Sequence, residues 1–254
     1  MSYSLKAFEY FSPKSLNEVL EILCIEENAV VFAGGTDILI KIKEGIISPK
    51  LLLDLKKIDE LWLFSFEHDK GLTIGATNTL NEILESHVVK KYFPILIECC
   101  LKIGNHELRN KATLVGNICS DFPVADSLFA LFLHDAEVEI ISKEGRKKVG
   151  LSELFNNSGK LNLKKEEIIT KVFIPYKGEY HGKYYRSLKR FLVPRASFGI
   201  AYIKSKDLTR IAIGNISSKI SLFSSPKELK ETLQTVYLEE EEFLLIEKVV
   251  KELK

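Results

Sequence analysis

Two short segments of this 254-residue chain pair glycine with small hydroxyl or amide side chains. That combination lets backbone N–H groups close on an anion. The first segment is Val31-Phe32-Ala33-Gly34-Gly35-Thr36-Asp37-Ile38, in which consecutive glycines end an apolar run. With no Cβ in the way, N–H groups there can turn toward a phosphate, and the Thr36 hydroxyl adds a donor. The second is Thr113-Leu114-Val115-Gly116-Asn117-Ile118, preceded by Leu108-Arg109-Asn110-Lys111-Ala112. Two such segments could grip both ends of a pyrophosphate, although either one alone is more often just a turn. Asp126 is the third candidate: its carboxylate can accept from ligand hydroxyls, or simply cap a helix that begins at Ser127.

Other chemistries find no home in the sequence. It has no Gly-x-x-x-x-Gly-Lys-Ser/Thr loop and no Gly-x-Gly-x-x-Gly after the first apolar run. It also lacks a His-x-x-x-His pair and a Gly-x-Ser-x-Gly elbow, and its five histidines are scattered. The four cysteines (Cys24, Cys99, Cys100 and Cys119) form no Cys-x-x-Cys pair. Adjacent Cys99 and Cys100 cannot readily bridge each other, so buried, reduced thiols in a cytoplasmic protein are expected, with no metal held by this chain. Thirty-six basic against 35 acidic side chains leave a formal charge of +1. Such a balance provides no field to gather nucleic acid. Apolar runs such as Leu128 to Leu133 are too short to span a membrane, and the first residues show no basic-then-apolar leader.

Around these candidates the chain alternates helices and strands. Ser15 with Glu18 reads as a capping box, and Leu16, Val19, Leu20 and Leu23 repeat on one face, predicting a helix from Leu16 to Ile25. Ala29 to Phe32 and Leu51 to Leu53 read as short buried strands on either side of the first glycine loop. Further strands are expected at Leu72 to Ala76, Ala136 to Ile141 and Ile168 to Ile174, with a hairpin from Ala136 through Lys143-Glu144-Gly145 to Val149. Helices are expected from the Thr79–Glu82 cap, at Pro94 to Lys102 and at Ser127 to His134. After a linker at Tyr176 to Glu179 come strands at Lys183 to Leu188, Gly199 to Lys204 and Arg210 to Gly214. Two terminal helices follow, giving a small sheet with helices on one face.

The order of these pieces resembles the FAD-binding subunit of molybdenum hydroxylases, the family of xanthine, carbon monoxide, aldehyde and nicotinate dehydrogenases. The landmarks are the Phe8 to Leu16 opening, Phe32-Ala33-Gly34-Gly35-Thr36-Asp37, Asp54-Leu55 with Ile58-Asp59-Glu60-Leu61, and Ile74-Gly75-Ala76-Thr77. Next come Leu108 to Thr113, Gly116-Asn117-Ile118-Cys119, Pro123-Val124-Ala125-Asp126, Glu167-Ile168-Ile169 and Ile174-Pro175. The resemblance runs from about residue 6 to 175, then more loosely to about 215. It implies an α+β fold in which residues 1–175 form a two-lobed FAD-binding domain, with lobes of about 1–57 and 58–175 and FAD between them. Residues 180–254 would form a small C-terminal sheet-and-helix domain.

By the same resemblance, Val31 to Ile38 would wrap the pyrophosphate of a non-covalent FAD, and Ile103 and Gly104 would line the adenosine or pyrophosphate path. Thr113, Gly116 and Asn117 would form the second cradle, while Asp126 would hold ligand hydroxyls. Ile168 and Ile169 would pack near the flavin ring, with Arg186 as a cation beside it. Histidine-linked flavin is not expected, because His106 stands in no matching motif and reads as an ordinary loop histidine. One departure stands out: Val115-Gly116 replaces the usual pair of glycines, and a positive φ at Val115 would cost about 1–3 kcal/mol. Asp121-Phe122 also stands where small polar residues are usual. The implied function is electron transfer from the [2Fe-2S] clusters of a small partner subunit, through FAD, to NAD or another acceptor. A large partner subunit would carry the molybdopterin cofactor. The alternatives are a free-standing reductase related to the UDP-N-acetylenolpyruvoylglucosamine reductases, and an assembly subunit without flavin.

Overall fold

The computed structural model describes residues 7–120, 125–156, 158–189, 195–214, 219–234 and 236–253. The landmark pieces Asp121-Phe122 and Pro123-Val124 lie outside them. Strand β1 (Glu9–Phe11), helix α1 (Leu16–Ile25), strand β2 (Ala29–Phe32), helix α2 (Ile38–Lys43) and strand β3 (Leu51–Asp54) make the first unit. Its three strands are parallel in the order β1-β3-β2, with a helix on each connection, as parallel pairing requires. α1 runs over the predicted span and buries the predicted face. Its cap differs in one detail. Ser15 accepts from the Glu18 N–H at 3.2 Å, but Glu18 reaches back to the Lys14 N–H rather than that of Ser15.

The middle of the chain begins with β4 (Phe64–Glu67) and β5 (Gly71–Gly75), then runs through six helices. These are α3 (Leu80–Glu85), α4 (His87–Tyr92), α5 (Pro94–Cys100), α6 (His106–Arg109), α7 (Leu114–Ile118) and α8 (Asp126–Leu133). It returns as the hairpin β6 (Glu137–Ser142) and β7 (Gly145–Gly150), the short α9 (Leu151–Leu154) and β8 (Ile168–Pro175). The five strands form one antiparallel sheet in the order β4-β5-β8-β6-β7. His106 therefore opens helix α6 instead of lying in a loop, and its ring meets the Asn110 amide at 3.3 Å.

The C-terminal part holds β9 (His181–Lys189), β10 (Arg195–Lys204), β11 (Thr209–Gly214) and β12 (Ser221–Phe223), antiparallel in the order β12-β11-β10-β9. Helices α10 (Pro226–Leu233) and α11 (Glu240–Glu252) follow. The two terminal helices lie on one face of this sheet, as the sequence suggested, and the other face is covered by α5 and α8 from the middle of the chain. Along β10, Phe198, Ile200 and Tyr202 join a core with Leu229, Ile246 and Val249 of α10 and α11. The alternate residues Ala201 and Ile203 join the larger core, which runs from α1 through α5, α8 and β8. Gly199 is what lets α8 settle there: a Cβ on it would sit 2.5 Å from the Phe129 ring. A strand apolar on both faces must be covered on both.

The turn after α8 ties the two parts together. His134 is fully buried, with ring nitrogens 3.0 Å from the Pro175 carbonyl and 2.9 Å from the Tyr180 hydroxyl. Burial pushes its pKa down to about 4, against the pull of the Pro175 carbonyl, so the ring is neutral. A carbonyl can only accept, which assigns the proton to Nδ1 and makes Nε2 the acceptor for Tyr180. Asp135, the one non-glycine with positive φ (+53°) among the described residues, pairs with Lys177 of the linker and with Arg210 of β11.

Candidate functional site

Strand β2 ends where its pairing with β3 ends, at Phe32↔Asp54, and the chain then turns through Ala33 to Asp37 into α2. Residues 31–38 form one wall of a cleft. Ile103, Leu108, Ala112, Thr113, Gly116, Asn117, Cys119 and Ser120 form the other. The structure thus brings the two glycine-bearing segments to face each other. Among the described residues, the N–H groups of Gly34, Gly35, Thr36 and Asp37 donate to no protein acceptor, nor does the Thr36 hydroxyl. The lining includes one acid, Asp37, which pairs with Lys41 at 2.8 Å, and no basic side chain. Donors offered here are therefore backbone dipoles, suited to an anion that approaches closely.

The glycines answer different steric constraints. Gly34 lies against the opposite wall: a Cβ on it would be 2.0 Å from the Lys111 carbonyl oxygen. Its bareness serves backbone-to-backbone closure of the cleft. Gly35 has φ +72°, and its Cβ would point at the Leu39 and Phe32 side chains, so conformation is what requires glycine there. Gly104 (φ +50°) is outside the lining, in the turn whose carbonyls, with that of Ile103, accept from the Arg109 guanidinium.

The second segment is a helix start, not a loop. Thr113 is the N-cap of α7, and its hydroxyl accepts the Gly116 N–H at 2.9 Å. Val115 is helical and 7% exposed, so the strain anticipated from a β-branched residue at positive φ does not arise. Asn117 is held from behind by the buried Ser127 hydroxyl at 2.5 Å.

Besides Gly104, four predicted residues stand apart from the cleft lining. Asp126 does not cap α8; the N-cap is Ala125, without a side-chain bond. Instead Asp126 accepts from Tyr184 at 2.6 Å and from Arg186 at 2.8 and 3.0 Å, so two candidates chosen separately form one ion pair. Ile168 and Ile169 are 3% and 2% exposed, pair with Ile141 and Ile140 across the sheet, and present almost no surface to a ligand. The thiols divide: Cys99 and Cys100 are buried, whereas Cys24 and Cys119 are exposed, contrary to the expectation of four buried thiols.

Sequence reasoning missed Leu108, Ala112, Cys119 and Ser120 as lining. Their adjacency to the second segment was the available signal. It also missed the bracing of the first loop. Lys56, in the 3-10 turn after β3, donates to the Ala33 carbonyl at 2.9 Å, pairs with Asp54 at 2.8 Å and lies 4.6 Å over the Phe32 ring. Asp54 also accepts from the Tyr10 hydroxyl at 2.5 Å. Burial works against its charge, but Lys56 and Tyr10 outweigh it and hold the carboxyl below the usual carboxylate range.

Residues 6–177 match the model of the FAD binding domain in molybdopterin dehydrogenase, and the chain belongs to that family. It is 28% identical over 180 residues to the xanthine dehydrogenase FAD-binding subunit of Escherichia coli O157:H7, covering 69% of this chain and 62% of that protein. The chain therefore spans about six tenths of the length of that curated relative. Among solved structures, quinoline 2-oxidoreductase from Pseudomonas putida 86 superposes with a TM-score of 0.85 at 20% identity, over 98% of this chain and 96% of that one; the likeness speaks for the fold. A carbon monoxide dehydrogenase chain from Hydrogenophaga pseudoflava gives 0.80 at 25% identity, over 94% and 84%. No helix among the described residues is long and apolar enough to cross a membrane, and they contain no metal-binding cluster of His, Cys, Asp or Glu.

Proposed function

We propose that the cleft holds the pyrophosphate of a non-covalent FAD, and that this chain is the flavin-bearing, electron-transferring subunit of a molybdenum hydroxylase. The observation that carries the reading is the run of four N–H groups from Gly34 to Asp37 that donate to no acceptor among the described residues, facing the capped start of α7 across the cleft. FAD, when bound, supplies the exchange between one-electron and two-electron transfer. The chain's own part is to bind and orient. Gly34, Gly35 and Thr36 donate to the phosphates, Ile103 and Leu108 give an apolar wall, and Asn117, fixed by Ser127, adds a polar contact. Asp126 and Arg186 act as one unit whose cation can face a reduced ring. Ile168 and Ile169 support from the core.

In the same reading residues 1–175 form two lobes, about 1–57 and 58–175, with FAD between them, and 180–254 form a small C-terminal domain. Electrons come from the [2Fe-2S] clusters of a small partner and leave to NAD or another acceptor. A large partner holds the molybdopterin and acts on the organic substrate. The flavin-free alternative rested on Val115 and loses that support, since Val115 is helical. Purified protein should carry flavin that acid precipitation releases. A preparation that stays colourless after incubation with excess FAD would refute the cleft assignment. Affinity purification from the native organism should recover both partners, and a solitary protein turning over its own substrate would favour the reductase alternative.

A further inference from the structure

We propose that Lys56, held by Asp54 and Tyr10, is a positioning residue for FAD, which sets the peptide plane between Ala33 and Gly34. This rests on reading the cleft as the pyrophosphate site. The described residues contain no cis peptide bond, so the Gly34 N–H points opposite to the Ala33 carbonyl. Lys56 fixes that carbonyl at 2.9 Å, and thereby fixes the direction of the first donor of the loop. The other face of the same residue is closed by the Lys111 carbonyl, which leaves the plane no second arrangement without parting the walls.

The ammonium is itself pinned in three directions: by the Ala33 oxygen, by Asp54 and by the Phe32 ring. Asp54 is 5% exposed, and its two carboxylate oxygens are divided between Lys56 and the Tyr10 hydroxyl. The Lys56 N–H adds a third bond to the same carboxylate, which fixes the turn that carries the side chain. A relay thus runs from β1 through the end of β3 to the loop after β2, crossing all three strands of the parallel sheet. Lys56 does not line the cleft and needs no contact with FAD to act.

The test is FAD titration of the flavin-stripped full chain by quenching of flavin fluorescence, with the melting temperature of the same preparations. Lys56→Met should weaken FAD binding by about 10–100-fold, the scale of a charge-assisted bond, and Lys56→Arg should recover most of the loss. Both variants should melt within about 3 °C of wild type without FAD, since the lysine is half exposed. Asp54→Asn should weaken binding in the wild-type background and add nothing in the Lys56→Met background, because it acts through the lysine. Wild-type protein that fails to bind FAD would overturn the cleft reading itself. If wild type binds and Lys56→Met binds equally well, the positioning role alone is overturned. A large fall in melting temperature with no rescue by arginine, or additive losses in the double variant, would also overturn it.

Discussion

At the scale of single residues, the two cleft glycines separate into different physical demands, and substitution should tell them apart. Gly34→Ala places a Cβ 2.0 Å from the Lys111 oxygen, so the walls must part. It should destabilise the flavin-free protein and abolish FAD binding together. Gly35→Val meets only the flexible ends of Leu39 and Phe32 but forces a β-branched residue to φ +72°, at a cost of about 1–3 kcal/mol. Gly35→Asn, which tolerates that region, should lose far less, and urea unfolding of the three variants gives the order. Val115→Gly should not tighten FAD binding. It removes a buried side chain from a helix and should cost about 2–4 kcal/mol of stability, read from the same unfolding curves. Here the limits of reading sequence are plain. Gly34-Gly35 stood out because consecutive glycines end an apolar run and a hydroxyl residue follows them. Lys56 could not stand out, because a lysine beside Lys57 looks like any solvated surface pair until the fold brings it to Ala33.

At the scale of elements, legibility followed length and periodicity. α1 was plain because its apolar residues repeat over ten positions, and the β6–β7 hairpin because alternation leads into a glycine turn. β1 is three exposed residues and shows no alternation; α7 is five residues, and Gly116 disguised it as a loop. The buried end of α8 yields a prediction of its own. His134 is neutral in the fold with a pKa of about 4, whereas an unfolded histidine takes its proton near pH 6.5. Between those values the unfolded chain binds the extra proton. Stability contributed by this residue is therefore full above pH 6.5 and falls as pH drops to about 4, by about 3 kcal/mol in all. His134→Gln can keep bonds to Pro175 and Tyr180 without titrating, so its stability should lose this slope. Urea midpoints measured from pH 7 to 4 would reveal an unchanged slope if the assignment were wrong.

At the scale of the whole molecule, the C-terminal sheet is held to the rest by apolar packing on α8 and by polar joints, among them Asp126 with Tyr184 and Arg186, Glu98 with Lys183, and Asp135 with Arg210. Asp135 gathers Lys177 from the linker and Arg210 from β11 at a single left-handed residue. Asp135→Asn keeps the backbone conformation and removes the charge. As the carboxylate is half exposed, the loss should be small, about 1 kcal/mol, but it should appear as faster proteolysis in the linker at residues 176–179. Equal cleavage rates would show the joint to be idle. The contact between Gly34 and the Lys111 carbonyl has another consequence, one of timing during synthesis. The residues that meet there are 77 positions apart, so on the ribosome the Gly34–Gly35 loop emerges long before the wall it must touch. Contacts of such separation form late, after the local helices and hairpins. If FAD sits in the cleft as proposed, a nascent chain cannot take it up before residue 120 has cleared the exit tunnel. Flavin loading thus waits for the second wall of the cleft, and a ribosome-bound fragment ending near residue 110 should retain none.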